Sequence, residues 1–370
     1  MKKILFLHSS AELYGSDRSL LNIITNIDKN EFEIHVMLPC DGPLVTLLSQ
    51  IPNVTVSIFD FAVLRRKMLS IGGGISYVIS FLKSKRHIKK YIKENKIDVV
   101  YTNTSVIFPG AIAAKASKIK SVWHVREIIK SNTENKVVSA IIKRYADVVI
   151  ANSKETANAL LVPQEKIRVI YNAVSEKEDS QIKEHSPLTV GMAGRINRWK
   201  GQKLFVDAAE IVHKKIPDAV FKIAGAAYTG EEFLEEELKQ YIKEKGLTDT
   251  VKLCGHISDM DEFYSCLYVF VLPSTQPEPF GLVVIEAMEY SLPVIATNHG
   301  GPTEIITDGT DGYLVSHLDA TQMADRLICL LENEEQRKEM GCSAKAKKRT
   351  MFSIGKMVLD IENLLKEFLN

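Results

Sequence analysis

Nothing in the 370-residue chain approaches a run of about 18 uncharged apolar residues, so no segment is predicted to span a bilayer as a helix. The opening "MKKILFLHSS" is basic, but its apolar part is only about four residues long, too short for a secretory signal. It reads as a first β-strand, and the expectation is a cytoplasmic protein. Cysteine is scarce and scattered. Cys40, Cys254, Cys266, Cys329 and Cys342 form no CxxC pair and no Cys/His cluster. That pattern excludes a disulfide framework, argues against a structural zinc site, and predicts buried free thiols in a reducing compartment. There is no GxGxxG, so the dinucleotide fingerprint is absent, and no sequence repeat relates the two halves. What is present is ordinary for a soluble globular enzyme: 45% hydrophobic and 25% charged residues, in a chain long enough for two or three domains.

The net charge of +1 conceals an asymmetry. Residues 1–180 carry 26 Lys and Arg against 17 Asp and Glu, and the remainder is correspondingly acidic. The basic excess is concentrated in 61–96, where ten basic residues and one acidic one, Glu94, are interleaved with aromatic and aliphatic side chains. One reading is a surface that docks on anionic lipid. The other is a solvated helix face plus core residues. No recognised nucleic-acid-binding module accompanies the charge, so nucleic acid is not expected as a partner.

Short apolar runs alternate with amphipathic helical patterns along the chain, the mark of βαβ units and a parallel sheet. Strands are predicted at 3–8, 32–38, 54–59, 98–103, 121–125, 147–153 and 167–172. After the polar, aperiodic stretch "SEKEDSQIKEHSP", the alternation restarts at 188–194, 219–225, 251–255, 268–274, 293–298 and 312–315. The expected architecture is α/β: a doubly wound domain over 1–174, a linker over 175–186, and a second doubly wound domain over 187–352. Ligands of such sheets bind beyond the carboxyl ends of the strands. Two of these domains facing each other would form a cleft there, so the loops after strands are where chemistry is sought.

Four loops carry candidates. In "HSSAELYGSDRSLLNII", Gly15 allows close backbone approach at a helix start, with Ser16 or Asp17 as N-cap; the choice lies between a phosphate site and a plain capped turn. In "GMAGRINRWKGQKLF", Arg195 and Lys200 follow a strand end and suit a diphosphate, against the blander reading of a solvated basic loop. In "PSTQPEPFGLVVIEAM", Pro277 and Pro279 stiffen the backbone around Glu278. The free N–H groups around Gly281, Leu282 and Val283 open a helix, and Glu286 lies in it. Glu278 and Glu286 are open to three accounts: a metal site or catalytic pair, two hooks for one elongated ligand, or, more plainly, a capping carboxylate and a core-edge ion pair. In "SDMDEF", an Asp-x-Asp offers a divalent-cation pattern, but Ser258 as N-cap with acidic residues in a first turn is the favoured account. Two histidines at strand ends, His124 in "WHVRE" and His299 in "NHGGPTE", are weighed against structural roles, His124 being the stronger candidate for facing the cleft.

Taken together these residues resemble the retaining glycosyltransferases of family 4, whose fold is GT-B, two Rossmann-like domains facing across a cleft. The resemblance rests on the Glu-x7-Glu spacing from Glu278 to Glu286, with "GRINRWKG", "HGGPTEIITDGTDGYLV", "VIYNAV" and "YGSDRSL" in the family's order over about 14–315. It implies transfer of a sugar from a nucleotide diphosphate donor, retention of anomeric configuration, and no metal or other cofactor. It further implies that Glu286 binds the ribose, Glu278 the donor sugar, and Arg195 and Lys200 the diphosphate. Backbone N–H groups of Gly281, Leu282 and Val283 would assist, Gly15 would let the first loop close over the phosphates, and His124 would lie beside the transferred sugar. The acceptor-binding domain is then the N-terminal one, with the last helix, 355–370, packing back on it. The implied function is extension of a lipid-linked or growing cell-envelope glycan (capsule, exopolysaccharide or lipopolysaccharide) at the inner face of the cell membrane. Alternatives on the same fold are a soluble small-molecule glycosyltransferase, a nucleotide-sugar epimerase, or a non-catalytic nucleotide-sugar-binding subunit. The chain departs from the family pattern at Ser16 and Asp17 in the first loop, and at Ser291, where a glycine often precedes the "PV" strand.

Overall fold

The computed structural model describes residues 1–64, 71–178, 187–257 and 259–369. Contacts divide the chain into two compact units. The first holds Met1–Ala173 and the terminal helix, and the second holds Val174–Ser353.

The described strands of the first unit are β1 (Lys2–Leu7), β2 (Phe32–Leu38), β3 (Val54–Ile58), β4 (Val99–Thr102), β5 (Lys120–Val125), β6 (Val148–Ala151) and β7 (Ile167–Val169). They form a parallel sheet in the order β3-β2-β1-β4-β5-β6-β7. The second unit has β8 (Thr189–Ala193), β9 (Val220–Ala224), β10 (Val251–Gly255), β11 (Val269–Leu272), β12 (Val294–Thr297) and β13 (Gly312–Val315). Their order is β10-β9-β8-β11-β12-β13, again parallel. Strands such as Ile4–Leu7 and Val269–Leu272 are wholly buried because helices cover both faces, which is why they read as continuous apolar runs and not as alternations. In each sheet the chain order reverses between two central strands, β1 and β4 in one, β8 and β11 in the other. Such a switch point splays the loops that follow those strands and opens a crevice at their carboxyl ends. The loops carrying Gly15, Lys200 and Glu278 follow β1, β8 and β11.

The terminal helix Ile354–Leu369 belongs to the first unit. Its apolar side chains Met357, Val358, Ile361, Leu364 and Leu365 join the core built on Leu20, Ile23 and Ile24 of the helix Gly15–Asn26. Glu362 fixes the register by accepting the Asp28 N–H at 2.7 Å. In the polar stretch 175–186, residues 179–186 lie outside the described residues, and 175–178 group with the second unit.

The expectation of buried thiols is corrected. Cys40 and Cys342 are exposed, and Cys254, Cys266 and Cys329 are half-buried. Cys40 lies just past the end of β2, and Cys342 follows the core-facing Met340 and Gly341 on the helix Glu334–Met351, so periodicity turns it outward.

Ser291, where the family often has a glycine, adopts φ 57°, a left-handed conformation that an L-residue occupies at a cost. Ser291→Gly is expected to stabilise the protein by about 0.5–1 kcal/mol, the relief of strain exceeding the added entropy of the unfolded chain. An unmoved or lowered unfolding midpoint would contradict this.

Candidate functional site

The first loop differs in detail from its expected form. The helix starts at Gly15, and Tyr14, not Ser16 or Asp17, is the N-cap. Asp17 acts from inside the first turn: its Oδ2 accepts the Tyr14 N–H at 2.8 Å and its Oδ1 pairs with His8 Nε2 at 2.7 Å. A carboxylate at the third helical position reaches back to the N-cap in this way. It thereby ties the helix start to the end of β1. Gly15 itself is exposed at that start.

In the second unit the loop after β8 is a tight turn. Asn197 Oδ1 accepts the N–H groups of Trp199 at 3.0 Å and Lys200 at 2.9 Å. Gly201 follows at φ 78°, and a Cβ there would lie 1.8 Å from the Pro273 carbonyl oxygen, so only glycine lets this turn press against the loop after β11. The Thr275 N–H donates to the Trp199 carbonyl at 2.8 Å and couples the two loops. The coupling brings Lys200 Nζ to Glu278 Oε1 at 2.6 Å. Ser274 Oγ donates to the same oxygen at 2.5 Å. The Glu278 side chain is 7% exposed and that of Lys200 17%, so the pair is largely shielded from solvent.

The backbone of Glu278 is extended, pairs with Gly300, and accepts the Gly301 N–H at 2.8 Å. Gly300 at φ 69° permits this approach, since a Cβ would meet the Glu278 carbonyl oxygen at 2.5 Å. His299 is placed as a strut: its Nε2 and the Thr297 hydroxyl both reach the Ser274 carbonyl, at 2.8 and 2.7 Å. Gly281 caps the next helix at φ 101°, and Leu282 and Val283 are its first residues. Their N–H groups belong to the turn that helix geometry leaves without intrahelical acceptors. One and a half turns on, Glu286 is half-buried, and its Oε2 accepts the Tyr264 hydroxyl at 2.7 Å. The guanidinium of Arg195 stacks on the Tyr228 ring, 4.1 Å from its centroid.

Thus Lys200 and Glu278 meet directly. Glu286 stands on the adjoining helix, and Arg195 lies on the Lys200 loop against an aromatic wall. Ser274, Tyr264 and Tyr228 were not foreseen. Ser274 follows β11 by two residues and its strand-end position was a usable signal; the two tyrosines carried none. The Asp-x-Asp is a helix start, with Asp259 as the cap: its Oδ1 accepts the Asp261 N–H at 2.9 Å, and Asp261 pairs with Lys177. Ser258, expected as that cap, lies outside the described residues.

In the first unit His124 is the penultimate residue of β5, and its ring is fully buried. It contacts Tyr101 of β4 and Arg126, a residue two positions beyond it that sequence inspection passed over.

The basic segment 61–96 is described apart from 65–70. It forms the helix Ile71–Asn95, whose Ser84, Ile88 and Ile92 face the core. On the outer face Ile75, Val78, Ile79 and Leu82 are 64, 55, 64 and 58% exposed. Their spacing makes one helical stripe, and the stripe continues as exposed Arg86, Lys89, Lys90 and Lys93. Lys83, Arg86, His87 and Lys90 line an open groove of about 460 Å³ with Phe59, on which the His87 ring stacks at 3.7 Å. Among the described residues no helix is long and apolar enough to cross a membrane.

The chain is similar to known proteins in sequence and in fold. A family model described as glycosyl transferases group 1 matches residues 174–347, and one described as glycosyltransferase family 4 matches residues 14–178. Over 229 residues the chain is 29% identical to the lipopolysaccharide core biosynthesis mannosyltransferase LpsB of Rhizobium meliloti, covering 58% of this chain and 64% of that one. Over 205 residues it is 27% identical to the capsular polysaccharide biosynthesis glycosyltransferase CapM of Staphylococcus aureus, covering 55% of this chain and 52% of that one. The chain therefore spans less than two thirds of the length of either of these relatives. Among solved structures, HepE of Anabaena in complex with UDP and glucose superposes with a TM-score of 0.83 at 26% identity, covering 99% of this chain and 100% of that one. HepE has also been crystallised with UDP-glucose.

Proposed function

We propose a function from the premise that this chain belongs to the glycosyltransferases of family 4 and group 1, with the GT-B fold: it is a retaining, metal-independent hexosyltransferase that draws on a nucleotide diphosphate sugar. The observation that carries this reading is the shielded Lys200–Glu278–Ser274 cluster at the carboxyl ends of β8 and β11, beside the start of the helix that bears Glu286. A cation, an anion and a helix N-terminus held together suit a ligand with a sugar at one end and phosphates in the middle. Lys200 and Arg195 hold the diphosphate, with the N–H groups of Gly281, Leu282 and Val283. Glu278 takes the sugar hydroxyls, Glu286 the ribose hydroxyls, Gly15 admits the phosphates, and His124 adjoins the sugar. Breakage of the bond from the anomeric carbon to the phosphate oxygen leaves negative charge on the diphosphate, which preorganised cations and dipoles stabilise. The acceptor oxygen bonds to the same face of that carbon, and its proton passes to the departing phosphate.

The acceptor is a lipid-linked or growing cell-envelope glycan, met at the cytoplasmic face of the membrane. The exposed aliphatic stripe of the helix Ile71–Asn95 and the lysines that continue it support this part of the reading. An apolar stripe that enters the headgroup boundary beside cations that attract anionic lipid is the surface such docking needs. LpsB and CapM, whose names place them in lipopolysaccharide and capsule synthesis, point to the same acceptor class.

UDP-glucose, bound by HepE, is the first donor to try. Thermal stabilisation and nucleotide release are measured against a panel of nucleotide sugars, with and without lipid-linked acceptor. Failure of every donor to stabilise the protein would overturn the donor assignment. Absence of sedimentation with anionic vesicles would overturn the membrane part alone.

A further inference from the structure

The surroundings of His124 determine which of its nitrogens carries the proton. Its Nδ1 faces the Tyr101 hydroxyl at 2.6 Å and Arg126 Nη2 at 3.2 Å. A guanidinium only donates. A ring nitrogen that accepts from it carries no proton, so the neutral imidazole keeps its single proton on Nε2. Burial, and then the adjacent Arg126 charge, push the imidazole pKa well below its usual value, so the ring stays neutral.

Arg126 is itself pinned. It is 6% exposed, and donates from Nε to Asn103 Oδ1 at 2.9 Å and from Nη1 to Ser19 Oγ at 2.7 Å and Asn172 Oδ1 at 2.5 Å. None of these acceptors is a carboxylate, and the nearby Glu127 carboxylate favours the charged form of the guanidinium. Burial lowers its pKa to about 10, which still leaves it protonated at neutral pH. On the other side of the ring, Nε2 is buried and has no hydrogen-bond partner among the described residues. Buried donors are rarely left unpaired, so this one calls for an oxygen that the described residues do not supply.

We propose that Tyr101 and Arg126 are positioning residues that hold His124 as the Nε2–H tautomer, making it a hydrogen-bond donor to a hydroxyl of the bound sugar and not a proton acceptor. The inference rests on the reading above that His124 adjoins the transferred sugar. It adds the protonation state, the two residues that set it, and the direction of the bond.

The tautomer is read without substrate, so the lock and the sugar reading can fail separately. Long-range nitrogen–proton NMR spectra of the full chain labelled in histidine are expected to show a protonated Nε2 and an unprotonated Nδ1 for His124 from about pH 6 to 8.5. Assignment is by loss of the signal in His124→Gln. A protonated Nδ1, or a ring that titrates within that range, overturns the lock. Tyr101→Phe removes one of the two donors and is expected to raise the minor tautomer about fivefold, the equivalent of one neutral hydrogen bond. No increase removes Tyr101 from the role. Arg126→Leu is the stronger version of that experiment, and the wild-type and Tyr101→Phe spectra decide if it does not fold.

In turnover assays His124→Gln, whose amide nitrogen substitutes for Nε2–H, is expected to retain activity within about tenfold. His124→Asn, which reproduces only the Nδ1 position, is expected to lose about 10²-fold or more, as when a positioned donor is removed. Equal, near wild-type turnover in both variants would overturn the donor role while leaving the tautomer result standing.

Discussion

Lys200→Ala is expected to lower kcat about 10²–10³-fold, the usual loss when one preorganised charge partner of a developing anion is removed. The ammonium is largely shielded, and its place is set by the Asn197 turn and by Glu278 at 2.6 Å. In water such a charge would be screened; in a shielded site of lower dielectric it would act more strongly on the leaving diphosphate of the proposed donor. The substitution also leaves the buried Glu278 carboxylate with Ser274 as its remaining contact among those described above. A drop in melting temperature should therefore accompany the loss of turnover, and the two must be separated. Arg195→Ala serves as the control, since Arg195 stacks on Tyr228 and the ring can remain in place without it. It should lose turnover to a comparable degree with little change in melting. Single-turnover rates distinguish chemistry from donor binding. Full activity in folded Lys200→Ala protein would remove Lys200 from the diphosphate.

Lys348→Ala is expected to destabilise the protein by about 3–5 kcal/mol, because it strips the main partner from a buried charge. Glu289 ends the helix that carries Glu286, and its side chain is 2% exposed. It receives Lys348 Nζ at 2.6 Å, the Lys177 N–H at 3.0 Å and Arg349 at 3.3 Å. The Lys348 side chain is fully buried and also donates to the Ser175 carbonyl at 3.3 Å. The pair thus ties the end of the Glu286 helix to the helix Glu334–Met351 and to the segment at 175–177. The double variant Glu289→Leu with Lys348→Met should recover much of the loss, since apolar replacements of matched volume avoid the desolvation cost. Urea-unfolding midpoints measure both. A midpoint unmoved by Lys348→Ala would show that the ammonium contributes nothing net.

The same cluster has a pH signature. Burial pushes the Glu289 pKa up, but the hydrogen bonds from Lys348, the Lys177 N–H and Arg349 outweigh it, and the folded value lies below 4.5. The unfolded carboxylate therefore takes up a proton first on acidification. The stability that Glu289 supplies is complete above the ordinary glutamate range and is lost as pH falls through the depressed folded value. His124 works at a higher window. Its folded pKa lies well below 6.5, so protonation of the unfolded ring draws stability away as pH falls below that value.

The two parallel sheets were legible in the sequence for a physical reason. Runs such as "KILFL" and "VFVL" can be uniformly apolar only where helices cover both faces of a strand, and the intervening 3.6-residue periodicity supplies those helices. That the loops bearing Lys200 and Glu278 start at the carboxyl edge of the sheet was legible on the same grounds, because each follows an apolar run that reads as a strand. The glycines that allow close loop contact, Gly201 and Gly300, were visible as residues, but what they press against was not. The likeness of "PSTQPEPFGLVVIEAM" to a known family came from motif spacing, which names the chemistry without showing its geometry.

Other features depended on residues distant in sequence. That Lys200 pairs with Glu278, 78 positions away, follows from β8 and β11 lying side by side at the switch point of their sheet. That Asp17 caps through Tyr14 and holds His8, that Tyr264 donates to Glu286, and that Lys348 neutralises Glu289 likewise depend on strand order and helix docking. Local propensity says nothing about such pairings. His124 shows the division most clearly. Its place at a strand end was determined by local sequence, whereas the proton it carries depends on Tyr101 from the adjacent strand and on an arginine held by Ser19, Asn103 and Asn172 from three other parts of the chain. Periodicity along the chain sets which face a residue occupies; only tertiary packing decides what waits for it there, because hydrogen bonds and charges act over a few ångströms of space and not along the sequence.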